Sequence, residues 1–507
     1  MKAYLLYQDQ DFDFSGEFPP NAGDLIQDLE LAVLLGAMAG GDKFLCDIST
    51  KVLLTSLTDT DAIRYRQRVL ADCIAEPDII REMYGIAVGA LQDKRSVWGF
   101  FTSQNPSSIL AAAVGQLEVL IVRLRQLRMV ADEHGGKFRS DGLTTFFRTV
   151  QRELDDEYFE TLGRHLKQLR FSGGQLMSAQ LERDNRGINY VLRSGNARRS
   201  WRERIGIAPR TVYSFAISPR DDAGAQALSE IVSRAINLVA NAAAQSADHV
   251  SSYFTMLRAE LGFYVSCLNL RDRLVAAGQP VTFPEPTAPA GCELNCAGLR
   301  DACLALRIEH VVGNDAEGDG MPLVIITGAN SGGKSTFLRS VGVAQLMMQC
   351  GMFVAASAFR ASVCEGIFTH FIREEDPEMI SGRLDEELAR ISTVADQISP
   401  HCLILFNESF AATNEREGSE IGRQVVTALL ESGIRVLFVT HHFDLADGFR
   451  RQHAHRTLFL RAPRQPDGRR DFKLTVAEPL PTSFGADIYY RIGGWLGERE
   501  KAARERA

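Results

Sequence analysis

Residues 323–336 read Leu-Val-Ile-Ile-Thr-Gly-Ala-Asn-Ser-Gly-Gly-Lys-Ser-Thr. The apolar run predicts a buried strand, the glycines a tight turn, and the residues from Lys334 a helix. From Gly328 to Ser335 the spacing is G-x-x-x-x-G-K-S, and each part has a chemical reason. A loop of Gly328, Asn330, Ser331, Gly332 and Gly333 can aim several backbone N–H groups at one phosphate, and the helix adds its positive end. Lys334 can reach the β- and γ-phosphates, the Ser335 hydroxyl can ligate Mg²⁺, and Thr336 continues the first turn. A plain glycine–serine turn needs neither lysine nor hydroxyl in register. The stretch therefore predicts an α/β domain that binds a nucleoside triphosphate with Mg²⁺.

Two later strands complete such a site. His401–Glu408 is an apolar strand ending in Asn407 and Glu408. A phosphoryl-transfer site needs a group here for the metal's hydration shell and a carboxylate to orient the attacking water. Glu408 supplies the carboxylate. Asn407 supplies only a neutral amide, which predicts weaker Mg²⁺ binding or slower turnover. Val436–Val439 is followed by Thr440-His441, placing His441 to contact the γ-phosphate region. The helix predicted from Gly418 to about Glu431 and the strand Arg435–Val439 give the alternation of a parallel sheet flanked by helices.

Ahead of this domain the pattern is helical. Residues 1–20 are irregular and end at Pro19-Pro20. Leu25, Leu29 and Val33 then share a face, and Thr58-Asp59-Thr60-Asp61 offers caps for a helix carrying Ile63, Gln67 and Leu70. Helical patterning continues to about Arg170. Gln175–Leu181, Ile188–Arg193 and Thr211–Ser218 then read as short strands. From Ala225 to Ala277 there is no proline; as one helix this would reach about 80 Å, a lever, or two long helices kinked near the alanine run. Pro280 to Pro289 predicts a linker.

The 507 residues carry 56 Lys+Arg against 64 Asp+Glu, a net charge of −8, so any nucleic-acid contact must come from a local patch. Arg183, Arg186, Arg193, Arg198, Arg199, Arg202, Arg204 and Arg210 form one, interleaved with Asn185, Tyr190 and Trp201. Arginine forks suit phosphate, and nothing in the pattern reads bases. The alternative is a solvated, salt-bridged hairpin. Nine cysteines, mostly in apolar segments, read as reduced core thiols. Cys292, Cys296 and Cys303 lack a second ligand pair. The N-terminus has no signal-peptide pattern, and no apolar run nears the roughly 18 residues of a membrane span, so a cytoplasmic protein is expected.

Together these residues resemble the MutS family of DNA mismatch-repair ATPases. The family's T-G-P-N-x-x-G-K-S-T loop is matched except that Ala329 stands for proline. Asn407-Glu408 stands where the family has D-E, followed by Thr413-Asn414 and Gly418. Thr440-His441 matches its T-H, and Ser381-Gly382-Arg383 its S-G-R segment. Phe410-Ala411-Ala412 replaces a Gly-Arg-Gly stretch. The likeness is strong over about 310–460 and weaker over about 25–280.

The resemblance implies ATP and Mg²⁺ as ligands, and Glu408, His441 and Lys334 as the residues of ATP hydrolysis. It implies a homodimer through the ATPase domain, in which Ser381 reaches the partner's nucleotide, and double-stranded DNA, mismatched or branched, as the partner. The expected organisation is multidomain. An irregular segment (1–20) precedes an all-α core (21–170), a small β module with the basic patch (171–220), and a lever (221–279). A linker (280–290), an ABC-type P-loop α/β domain (291–465) and a C-terminal extension (466–507) follow. Arg186, Arg193, Arg198, Arg199 and Arg202 are the expected DNA contacts. A counterpart of the family's N-terminal mismatch-reading and connector domains is not expected within these residues, and neither Phe-x-Glu tripeptide, at Phe283 or Phe406, suits the mismatch wedge. The remaining readings are a branched-DNA or recombination-linked ATPase and a nucleotide-switched scaffold for a protein partner.

Overall fold

The computed structural model describes residues 2–98, 105–172, 174–184, 187–193, 216–373, 382–465 and 470–481. These form two compact units. One comprises residues 1–3, 78–139 and 143–261; the other comprises 4–77, 140–142 and the chain from 262 on.

In the first unit the helix Pro106–His134 starts at Asn105, whose side chain accepts from Ser108 N. It buries Leu117, Leu120, Ile121, Leu124 and Leu127, and Arg123 pairs with Asp93 at 2.6 Å. Residues 106–137 correct one expectation, since this stretch is long and apolar enough to cross a bilayer by length and composition. Scattered charges such as Glu118 hide it from a search for an unbroken apolar run. In the structure 44% of its most apolar window is packed inside the protein.

Strands β1 (Leu176–Leu181) and β2 (Gly187–Arg193) pair antiparallel as a hairpin with a register shift between Ser178 and Gln180. The third expected strand, Thr211–Ser218, falls mainly outside the described residues, and 216–218 is not a strand. The long apolar pattern is one helix, Asp222–Ala276, of 55 residues. At 1.5 Å per residue it is about 80 Å long.

The second unit holds two sheets. Strands β3 (Glu285–Thr287), β7 (Ala358–Ser362), β4 (Leu294–Leu299) and β5 (Asn314–Glu317) lie side by side in that order. The larger sheet runs β12 (Thr475–Val476), β11 (Thr457–Ala462), β6 (Leu323–Gly328), β10 (Arg435–Val439), β9 (Leu403–Asn407) and β8 (Ile367–Phe371). Its strands β11, β6, β10, β9 and β8 are parallel, and β12 is antiparallel to β11. Phe406, Phe410, Val426, Phe438, Leu445 and Phe449 form a core on this sheet.

Two segments differ from expectation. Residues 280–290 are not a free linker, because Thr282 bridges Val354 and β3 pairs with β7. As an edge strand, β3 tolerates Pro286, which has no N–H to give. The helices up to residue 77 also belong with the sheets rather than with the rest of the helical core. Asp59 caps the helix Thr60–Ala75 as its sequence suggests. That helix's Arg66 is 1% exposed; its Nε donates to Leu6 O at 3.1 Å and its Nη1 to Cys350 O at 3.3 Å. The guanidinium stands over the Tyr7 ring. A buried cation thus fastens the irregular N-terminal segment and the end of the helix Lys334–Gln349 to one point.

Arg66→Met should cost about 3 kcal/mol, since two charge-assisted hydrogen bonds vanish and two buried carbonyls lose a donor. A lower thermal unfolding midpoint, with early proteolysis of residues 1–20, is the expected readout.

Candidate nucleotide site

Strand β6 is buried along its whole length and delivers the loop to the carboxyl edge of the sheet, where α/β folds place ligands. Gly328 has φ +105°, and a Cβ there would lie 2.4 Å from Ala462 O. A Cβ on Gly332 would lie 2.7 Å from Ala462 Cβ. The loop therefore sits directly on the end of β11, and only glycine fits at these two points. Helix Lys334–Gln349 begins at once from Gly333. Its first amides have no intrahelical partner by geometry and face the loop.

Lys334 is buried, and its Nζ donates to Gly328 O and Ala329 O, each at 3.1 Å. Burial pulls its pKa down to about 8, with Arg470 adding to the shift and Glu408 opposing it. Ser335 Oγ donates to Asn407 Oδ1 at 2.8 Å, joining the helix to the end of β9. Glu408, the next residue, meets His441 Nε2 at 2.6 Å. That hydrogen bond holds the Glu408 carboxyl below the usual range, with the charges of His441 and Lys334 acting in the same sense and burial against them. Glu408 is ionised at neutral pH and is an acceptor. Lys334, Ser335, Asn407, Glu408 and His441 thus come together from β6, β9 and β10, with Gly328, Asn330, Ser331, Gly332, Gly333 and Thr336 in the loop and first turn. Ser381 lies outside the described residues, as do Arg186, Arg198, Arg199 and Arg202. Arg193 ends β2, and its Nε donates to Ser178 Oγ at 2.9 Å.

Several neighbours carry no motif and were not legible in the sequence. Asn314 binds the segment after residue 470 by donating to Phe472 O at 3.1 Å and accepting from Leu474 N at 2.6 Å. Leu304, Ile308, His310, Val312 and Phe472 wall a cavity of about 250 Å³ against Ser331 and Gly333. Arg470 Nε donates to Asn330 O at 3.2 Å. This segment reaches the sheet as β12, so the region expected as a C-terminal extension begins as part of the site. Glu408 and Phe410 have φ of +57° and +64°, each costing on the order of 1 kcal/mol for a side-chain-bearing residue. Among the described residues no group of three His, Cys, Asp or Glu side chains could hold a metal.

The strand–loop–helix with buried Lys334, and the Ser335 hydroxyl tied to the end of β9, lies in an α/β domain. The MutS2 N-terminal domain family matches residues 58–277, and MutS domain V matches residues 324–488. The chain belongs to the MutS family. It is 33% identical over 181 residues to endonuclease MutS2 of Lacticaseibacillus casei, covering 35% of this chain and 22% of that protein. It is 34% identical over 142 residues to DNA mismatch repair protein MutS of Chloroflexus aurantiacus, covering 27% and 15%. Endonuclease MutS2 of Geobacillus thermodenitrificans is 25% identical over 383 residues, covering 67% and 47%. The chain spans less than half the length of these curated relatives.

The depressed Lys334 pKa has a measurable consequence. Free protein at pH 9 holds Lys334 largely neutral, because its pKa is about 8. Phosphate oxygens favour the charged form, so nucleotide binding at pH 9 should take up a proton, in an amount approaching one. Calorimetry in buffers of different ionisation enthalpy reads this directly, and uptake should vanish at pH 6.5 and in Lys334→Met. The sign for stability follows: without ligand, the unfolded chain holds the extra proton between about pH 8 and 10.5. Stability therefore rises with pH across that window.

Proposed function

We propose that this chain binds ATP with Mg²⁺ at the site built by residues 328–336, 407, 408 and 441, hydrolyses it, and uses that cycle to switch its grip on double-stranded DNA. The observation that carries the reading is the convergence of Lys334, the Ser335–Asn407 hydrogen bond and the Glu408–His441 pair at one sheet edge. Lys334 and the first helical amides would hold the phosphates. The cavity at Ile308, Val312 and Phe472 would take the base. The Ser335 and Asn407 oxygens, 2.8 Å apart, fit Mg²⁺, which keeps several waters and needs few direct protein ligands. Ser335 would bind it directly and Asn407 through water, and the ion would supply neutralisation of phosphate charge. Glu408 orients the attacking water. Its lowered pKa makes it a hydrogen-bond acceptor more than a strong base, so its part is alignment. His441, bonded to Glu408, fixes that carboxylate and stands toward the γ-phosphate.

The DNA part of the reading rests on family membership and on the arginine-rich stretch around Arg193. A homodimer whose sites are completed by Ser381 of each partner follows from the family's S-G-R segment. Mismatched and branched duplexes are both admitted, and the location is read as cytoplasmic. A second reading, a nucleotide-switched scaffold for a protein partner, is favoured by the net charge of −8 and by the uncharged Asn407.

Asn407→Asp should lower the Mg²⁺ concentration for half-maximal ATP turnover by about tenfold, the scale on which hydrogen-bond partners of a metal's ligands alter its affinity. Unchanged Mg²⁺ dependence would remove Asn407 from the metal shell. Fluorescence anisotropy of labelled homoduplex, mismatched duplex and four-way junction, with and without ATP–Mg²⁺ at two salt concentrations, tests the grip on DNA. Steeply salt-dependent binding altered by ATP is expected, and weakened by charge reversal at Arg198 and Arg199. No binding at low salt would sink the DNA reading in favour of the scaffold.

A further inference from the structure

Behind Glu408 lies a buried polar cluster to which neither motif nor family resemblance assigns a role. Glu387, on the helix Arg383–Ala395, is 5% exposed. Its Oε2 accepts from Phe410 N at 2.9 Å, and among the described residues its Oε1 has no hydrogen-bond partner. Its backbone carbonyl lies 3.1 Å from His370 Nε2, and His370 Nδ1 lies 2.7 Å from Ser409 Oγ. His370 is fully buried, and burial drops its pKa to about 4, so the ring is neutral. The carbonyl on Nε2 fixes the proton there, which leaves Nδ1 as an acceptor. The Ser409 hydroxyl then has two acceptors, His370 Nδ1 and His370 O, the latter also at 2.7 Å.

Each residue of the turn 408–410 is thereby held, Glu408 and Phe410 through the backbone and Ser409 through its hydroxyl. Glu408 N donates to Val439 O at 2.9 Å. Ser409 is held by His370. Phe410 N is held by Glu387, and its ring lies 5.9 Å from that of His370, stacked at 20°. The turn needs such restraint, because Glu408 and Phe410 both occupy the left-handed region. A carboxylate on a neighbouring helix is an expensive way to satisfy one N–H, since burial raises its pKa against the Phe410 hydrogen bond and the charges of Arg383 and Arg390. We infer that Glu387 is a positioning residue: by holding Phe410 N–H it fixes the turn that aims the Glu408 carboxylate, and so sets the rate of turnover without touching nucleotide. The inference rests on the reading of Glu408 as the water-orienting group.

The test compares ATP turnover and nucleotide affinity in five proteins: wild type, Glu387→Met, Glu387→Gln, Glu408→Gln and the Glu387→Met/Glu408→Gln pair. Glu387→Met keeps the side chain's volume but cannot accept the hydrogen bond. It should lower kcat by about ten- to a hundredfold, the scale of a small misplacement of a reacting group, with nucleotide affinity unchanged. Glu387→Gln, whose amide oxygen can accept from Phe410 N, should recover most of that loss. On the Glu408→Gln background Glu387→Met should cost almost nothing more, because residues acting through one group are not additive. Nitrogen-15 signals of the His441 ring should shift in Glu387→Met and return in Glu387→Gln, reporting the Glu408 contact independently of turnover. If Glu387→Met misfolds, Glu387→Ala, which lets water reach Phe410 N–H, takes its place. Equal losses on both backgrounds, or affinity falling in step with kcat, would overturn the inference. Wild-type turnover in Glu408→Gln would remove the underlying reading instead. In that case an unmoved His441 signal in Glu387→Met would overturn the positioning too.

Discussion

The seat of the loop 328–333 on the end of β11 is the constraint on which the rest of the site depends. Gly328 and Gly332 approach Ala462 so closely that a side chain at either would meet its backbone or its Cβ. That approach sets where the helix Lys334–Gln349 begins, and hence where Lys334 and Ser335 stand relative to the ends of β9 and β10. The helix is buried at almost every position, so it cannot rotate or slide to compensate. Gln345 donates to Ser362 O at 2.8 Å, and Gln349 donates to Leu57 O at 3.0 Å and Cys364 O at 2.8 Å. A side chain at the loop would displace an element bonded at its far end to the smaller sheet and to the link before the helix Thr60–Ala75.

Legibility followed the kind of signal. Periodicity and caps located the strand Arg435–Val439 and the Asp59 cap, because each depends on neighbours in sequence. The helix Lys334–Gln349 has little apolar asymmetry, since it is buried all round, and was read only through its motif. The proline run 280–290 looked like a linker because edge-strand prolines and linker prolines are locally identical; only pairing with β7 distinguishes them. Phe472, Asn314 and Glu387 were invisible for the same reason. Their roles come from partners 158, 160 and 23 residues away, and no local pattern encodes those contacts. The residues 328–336 of the proposed nucleotide site stood out because phosphate chemistry fixes their spacing within one turn.

Phe410 shows how a departure from the family pattern can be absorbed. Where the resemblance has glycine, this chain places a phenylalanine at φ +64°, a conformation glycine adopts freely and phenylalanine does not. Two features offset the cost. The ring is fully buried, packed 6.1 Å from Phe406 and 5.9 Å from His370, and burial of a whole aromatic side chain contributes about 2–3 kcal/mol. The N–H meets the Glu387 carboxylate, a hydrogen bond stronger than one to a neutral acceptor. Glycine would be cheaper in conformation but would leave a cavity between Phe406 and His370 and a looser turn behind Glu408. Gly418, in the helix Glu415–Glu431, leaves room for this turn, since a Cβ there would fall 2.3 Å from Phe410 O. Stiffness at the turn that carries Glu408 is therefore a property of this chain's own residues, held by packing and one buried carboxylate rather than by the glycines of the family pattern.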